Sequence, residues 1–92
     1  MTAPLSHRES DNTYHGVVAQ LNDRWRVVVC RYGIQWILQF AKIRRDGQAW
    51  EGRSFCCTKE ALIRVCTCLA GEISHVARAT LDALPEQIGR SR

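Results

Sequence analysis

The chain reads as an α+β domain: a three- to four-stranded antiparallel meander followed by two C-terminal helices packed on one face. Three observations predict it. Arg24 to Phe40 alternates as two strands around Tyr32-Gly33, Asp46-Gly47 marks a second reversal, and the last third carries apolar residues at helical spacing behind Thr58 and Ser74.

The first hairpin is the best defined element. Folding it at Tyr32-Gly33 sets Val29 opposite Trp36, Val27 opposite Leu38 and Trp25 opposite Phe40. All three apolar pairs share one face, because side chains alternate along a strand. A slip by one residue would pair Arg26 with Leu38 and scatter the pattern, which fixes the register. Upstream, Thr13 to Gln20 favours extended structure through Tyr14, Val17 and Val18, and Asn22-Asp23 supplies a turn into the hairpin. Downstream, pairing across Asp46-Gly47 places Ile43 opposite Trp50, Leu38 opposite Phe55 and Ile37 opposite Cys56, with a strand over about 49–56.

Thr58 suits the N-cap of a helix from Lys59 to Leu69, with Glu60 in its first turn and Leu62, Val65, Cys66 and Leu69 as its buried stripe. Ala70-Gly71 ends it. Ser74 caps a second helix whose Val76, Ala77, Thr80, Leu81 and Leu84 share a face, and Pro85 stops it. Residues 1–12 are polar and aperiodic and read as a flexible tail, 13–88 as one domain, and 89–92 as a basic tail.

Composition narrows the function classes. Ninety-two residues with a hydrophobic fraction of 46% suit one folded domain with little room for a buried cleft. No apolar run approaches the ~20 residues that span a bilayer, and Met1 to Asn12 lacks the apolar segment of a secretory signal, so a cytoplasmic protein without a membrane role is expected. The net charge is +4, and eleven of the thirteen basic residues are Arg. Arg offers a planar fork of donors and stacks on aromatics, as a binding surface requires, although a GC-rich coding sequence produces the same bias. Five cysteines, an odd number, imply reduced thiols.

No catalytic or cofactor signature stands out. Zinc sites pair ligands at short spacing, whereas Cys56 and Cys57 point to opposite sides of a strand, and Cys66 and Cys68 lie about 200° apart on a helix. Neither metal nor cofactor is expected. His7, His15 and His75 are the candidate bases for a nucleophilic cysteine, and none stands in a Cys-His motif. The glycines form no phosphate-binding loop.

The strongest candidate is the sheet face opposite the helices. Arg24, Arg26, Gln35, Ile37, Gln39, Ser54 and Trp50 fall there, with Arg44, Arg45 and Arg53 nearby. A Trp and an Ile ringed by Arg and Gln suit a protein partner. The same set could hold single-stranded nucleic acid, with arginines on phosphates and Trp50 stacked on a base. Equally, the face could be solvated, or covered by the N-terminal segment or by a second copy.

The strings RWRVVVCRYGIQWILQ, WEGRSFC-CTKEALIRVC and LDALP, spanning about Arg24 to Pro85, resemble a group of short prophage-borne proteins. These share a W-x-V-x-x-C-x-x-x-I-Q-W-I-L-Q core followed by W-x-G-R-S-[YF]-C and a capped helix. Cys57 stands where a polar residue is expected, and the first twenty residues fall outside the match. Some such proteins are anti-CRISPR inhibitors that block type I effector complexes from engaging DNA. The resemblance implies a non-enzymatic protein that binds a protein subunit of a host CRISPR effector complex. It assigns no contact residues. The alternative is a small basic nucleic-acid-binding or regulatory protein of a mobile element.

Overall fold

Alternation of apolar side chains produces the sheet expected. In the computed structural model, which describes residues 6–45 and 47–89, β1 (Val17–Gln20), β2 (Trp25–Val29), β3 (Trp36–Arg44) and β4 (Gly47–Cys56) form an antiparallel meander in chain order. The β2–β3 register pairs Trp25 with Phe40, Val27 with Leu38 and Val29 with Trp36. The turn into β2 depends on Asn22, whose Oδ1 accepts the main-chain N–H groups of Arg24 (2.9 Å) and Trp25 (3.1 Å).

The β3–β4 register departs from the expected one. Arg44 pairs directly with Gly47, so the chain reverses one residue earlier than a turn at Asp46-Gly47 would make it; Asp46 lies outside the described residues. Ile43 faces Gln48, Leu38 faces Ser54 and Ile37 faces Phe55. The pairing then slips between Leu38–Ser54 and Gln39–Gly52, which leaves Arg53 as the extra residue of a β-bulge. The bulge resets the alternation. Cys56 turns inward to the helices, and Ser54 goes with it, with its Oγ 3.9 Å from the Cys56 sulfur. Phe55 turns to the outer face beside Ile37. Ser54, expected outside, is therefore inside.

Two capped helices cover the inner face. The Thr58 hydroxyl accepts the Ala61 N–H at 3.2 Å and starts α1 (Lys59–Val65). The chain continues as one π-helical turn over Cys66–Ala70 and ends at Gly71, whose φ of 74° favours glycine. The wider turn keeps Leu62 and Cys66 buried but rotates Leu69 out of the expected stripe, leaving it 48% exposed. The Asn22 amide donates to the carbonyls of Ala70 (3.1 Å) and Glu72 (2.8 Å), so one side chain ties the β1–β2 turn to the end of the helical segment. Ser74 caps α2 (His75–Asp82) by accepting the Ala77 N–H at 3.1 Å. Ala77 and Leu81, one turn apart, are its buried residues, whereas Val76 projects into solvent.

Leu21, Val27, Trp36, Leu38, Leu62, Cys66 and Leu81 form the core between sheet and helices. Each such aliphatic side chain contributes about 1.5–3 kcal/mol on burial. Trp25, partly buried against this core, meets Phe40 with ring centroids 4.9 Å apart and ring planes tilted by 55°. No described helix is long and apolar enough to cross a membrane.

The expected flexible tail is the largest departure. Its described part, residues 6–12, is hydrogen-bonded across the outer face. The basic stretch at 90–92 lies outside the described residues.

Cysteine accessibility gives a direct test of this packing. Cys57 and Cys68 are exposed, whereas Cys30, Cys56 and Cys66 are buried. Burial also pushes the Cys66 thiol up to about 12, which removes the reactive thiolate at neutral pH. Alkylation at pH 8, with peptide mass spectrometry as the readout, should modify Cys57 and Cys68 first. The three buried thiols should react at least about tenfold more slowly and gain full reactivity only in denaturant.

Candidate functional site

The outer face is organised around a charge that the sequence places opposite an amide. Arg26 on β2 pairs with Gln39 on β3, and its Nε donates to Gln39 Oε1 at 2.7 Å. Its guanidinium lies 4.3 Å from the centroid of the Trp50 ring. The remaining N–H groups point at three main-chain carbonyls of the N-terminal segment: Glu9 (3.0 Å), Asp11 (2.9 Å) and Asn12 (3.4 Å). Burial lowers the guanidinium pKa to about 10 against the favourable pull of Asp11, so the group is still charged at neutral pH.

Residues 6–15 thereby form a strap across the sheet. Gln39 Nε2 donates to the same Glu9 carbonyl at 2.9 Å, and Trp50 Nε1 donates to Asn12 Oδ1 at 2.6 Å. The Trp50 main-chain N–H donates to the Ser10 carbonyl at 3.0 Å. The strap also closes on itself, as Ser6 Oγ donates to Asp11 Oδ2 at 2.7 Å and His15 N–H donates to the Ser6 carbonyl. Its one buried aromatic, Tyr14, packs with Val28, Cys30 and Ile37 and donates its hydroxyl to the Val29 carbonyl at 2.6 Å. Burial raises its phenol pKa. Gly16 lets the strap pass into β1, since a Cβ there would stand 2.7 Å from the Tyr14 ring and 2.9 Å from the Val29 oxygen.

The residues expected on one open partner surface therefore divide. Arg26, Ile37 and Gln39 (each 2% exposed) and Trp50 (6%) are buried beneath the strap and serve to hold it. This corrects their place on a partner surface and matches the alternative of a face covered by the N-terminal segment, which is what they meet. Arg24 donates to the Ala41 carbonyl at 3.2 Å and lies 4.9 Å from the Phe40 centroid, and the bulged Arg53 lies 4.8 Å from the same ring, so both flank Phe40. Gln35 is half-buried beside the β2–β3 turn, and Arg44 and Arg45 are exposed near the β3–β4 reversal.

Burial pushes the Cys30 thiol up, but main-chain amides of Ile34, Tyr32, Gln35 and Gly33 outweigh it and leave the thiol below its ordinary value. Cys30 itself fills space under Tyr14.

Beside the strap runs an open groove of about 320 Å³, lined by Arg8, Arg31, Ile37, Trp50, Gly52 and Phe55, with Glu9 at its rim. Arg8, Arg31 and Phe55 are absent from the surface expected from sequence. Phe55 carries a legible sign, the strand glycine three residues before it, because such a glycine marks a bulge that reverses the facing of the residues beyond it. Arg8 and Arg31 carry none. Comparison of the chain with protein-family models, curated proteins and solved structures finds no match.

The strap depends on Arg26. Substitution R26A would leave the Gln39 amide oxygen and the Asn12 carbonyl without the Arg26 donor and take one of two donors from the Glu9 and Asp11 carbonyls, which keep Gln39 Nε2 and the Tyr14 N–H; each buried unpaired group costs about 1–3 kcal/mol. Strap displacement readmits water to some of them, so a loss of roughly 2–4 kcal/mol in urea unfolding is expected. Hydrogen exchange of the Trp50 amide, bonded to Ser10, should accelerate in R26A far more than exchange of the Leu38 amide in the sheet interior.

Proposed function

We propose that this chain is a non-enzymatic inhibitor of phage origin that binds a protein subunit of a type I CRISPR effector complex and blocks its engagement with target DNA. The family resemblance supplies the class of target. The observation that supports a binding role is the surface left around the strap, where Arg8, Arg31 and Phe55 stand exposed on a scaffold of strands and hydrogen-bonded loop.

Arg and aromatic side chains are typical interface anchors. A backbone held by hydrogen bonds before contact leaves only the side chains to be ordered on binding, which favours affinity at modest area. With a net charge of +4, the chain is a poor mimic of DNA, so inhibition proceeds by occlusion and not by charge imitation. A host subunit that guides DNA is met in the bacterial cytoplasm, where reduced cysteines also belong.

The test is an affinity pull-down of the tagged chain from cells that express effectors of several CRISPR types, with nuclease treatment and quantitative mass spectrometry. Stoichiometric recovery of a type I effector subunit after nuclease is the expected result. Recovery of nucleic acid that disappears on nuclease treatment, with affinity falling steeply in salt, would replace this reading by that of a basic nucleic-acid-binding protein.

A further inference from the structure

We infer that the groove beside the strap is the contact point for the protein partner, and that it takes an acidic segment carrying one apolar side chain. The inference rests on the reading of the chain as a protein-binding module.

The floor is apolar and fixed. Phe55 is 57% exposed on the outer face beside the strap. Its ring lies against Gly52, where an added Cβ would come within 2.9 Å of Phe55 Cζ and 3.2 Å of Ile37 Cγ2. Phe55 is thus propped on a backbone without a side chain and backed by buried Ile37. An apolar side chain laid on the open side of the ring would remove that remaining surface from water.

The rim is basic. Arg8 and Arg31 are exposed, and neither forms an ion pair among the described residues. The Arg31 guanidinium stands 5.5 Å from the Tyr32 centroid, so the cationic rim continues into an exposed aromatic. Glu9 is committed elsewhere: its carboxylate accepts the Arg31 main-chain N–H at 2.7 Å, and its carbonyl holds Arg26 and Gln39.

Glu9 also decides which class of partner fits. A nucleic-acid strand carries a phosphate at every nucleotide, and a continuous row of them along this groove would pass the Glu9 carboxylate. A peptide can set discrete carboxylates on Arg8 and Arg31 and place an uncharged residue between them. Charge complementarity and the apolar floor together select an acidic, singly apolar protein segment.

The test uses a synthetic peptide, Gly-Ser-Glu-Asp-Leu-Glu-Ser-Gly, titrated to millimolar concentration into the isotopically labelled full chain and monitored by amide chemical shifts. Shifts centred on Gly52, Phe55 and the Trp50 indole are expected. The affinity should weaken tenfold or more in the double variant R8E/R31E and in F55A, whose spectra elsewhere report an intact fold. A peptide with Lys at the acidic positions, or with Gly for Leu, should bind at least tenfold more weakly. Equal binding of either control, absence of shifts at the groove, or stronger shifts there with a twelve-nucleotide poly-dT overturns the inference. The two levels separate cleanly. If the effector subunit is still captured by R8E/R31E and by F55A, the groove assignment fails while the inhibitor reading stands; if wild type captures no effector subunit, that reading fails while the titration still reports on the groove.

Discussion

A buried guanidinium governs the outer half of this molecule. Moving an unpaired cation out of water costs several kcal/mol, and that penalty is tolerable only where good acceptors replace the lost hydration. Arg26 finds them in one amide oxygen, three main-chain carbonyls and the face of Trp50. Because the carbonyls belong to residues 9–12, the requirements of one side chain determine where the N-terminal segment lies. The segment in turn fixes Trp50 through Asn12 and Ser10 and places Glu9 and Arg8 at the groove. The geometry of the candidate site therefore descends from the solvation of Arg26.

The β4 bulge is the second constraint, and it acts on the two faces at once. A regular strand would send Trp50, Gly52, Ser54 and Cys56 to the same side. One extra residue at Arg53 allows Trp50 to meet Arg26 outside while Cys56 joins Trp36 and Leu38 inside. The same switch delivers Phe55 to the outer face and frees Arg53 to lie over Phe40. Core packing and the exposed aromatic are thus consequences of one irregularity.

These two causes also divide the legible parts of the sequence from the rest. The β2–β3 register was legible because both strands oppose apolar to apolar at every second position, so only one alignment buries Trp25, Val27 and Val29 together. Thr58, Ser74 and Gly71 were legible as caps because their chemistry is local. The β3–β4 register was not, because Gln48, Gly52 and Ser54 fit either face and leave slippage unpenalised. The strap was least legible of all. Main-chain carbonyls, which every residue carries, make most of its contacts, so residues 8–13 show no pattern. Charged residues are rarely buried, so Arg26 and Trp50 read as part of a binding face as readily as of a face covered by the N-terminal segment, which is the one they anchor.

Closing that face also restricts how a partner can approach. An exposed sheet edge is the usual invitation to strand addition, and β4, beside the groove, is one of the two terminal strands of the meander. Yet its Trp50 amide is already bonded to Ser10, its ladder is broken at Arg53, and Glu51 draws Arg53 and Lys42 to within 3.3 and 3.9 Å along it. Bulges and charges of this kind discourage pairing of backbone with backbone. At the β4 edge a partner is then recognised by side chains that stand clear of the sheet. On the outer side the groove residues Arg8, Arg31 and Phe55 are among them, with positions set by the strap and the bulge. The polar strap that conceals most of the face is, by the same hydrogen bonds, what makes the remainder a defined surface.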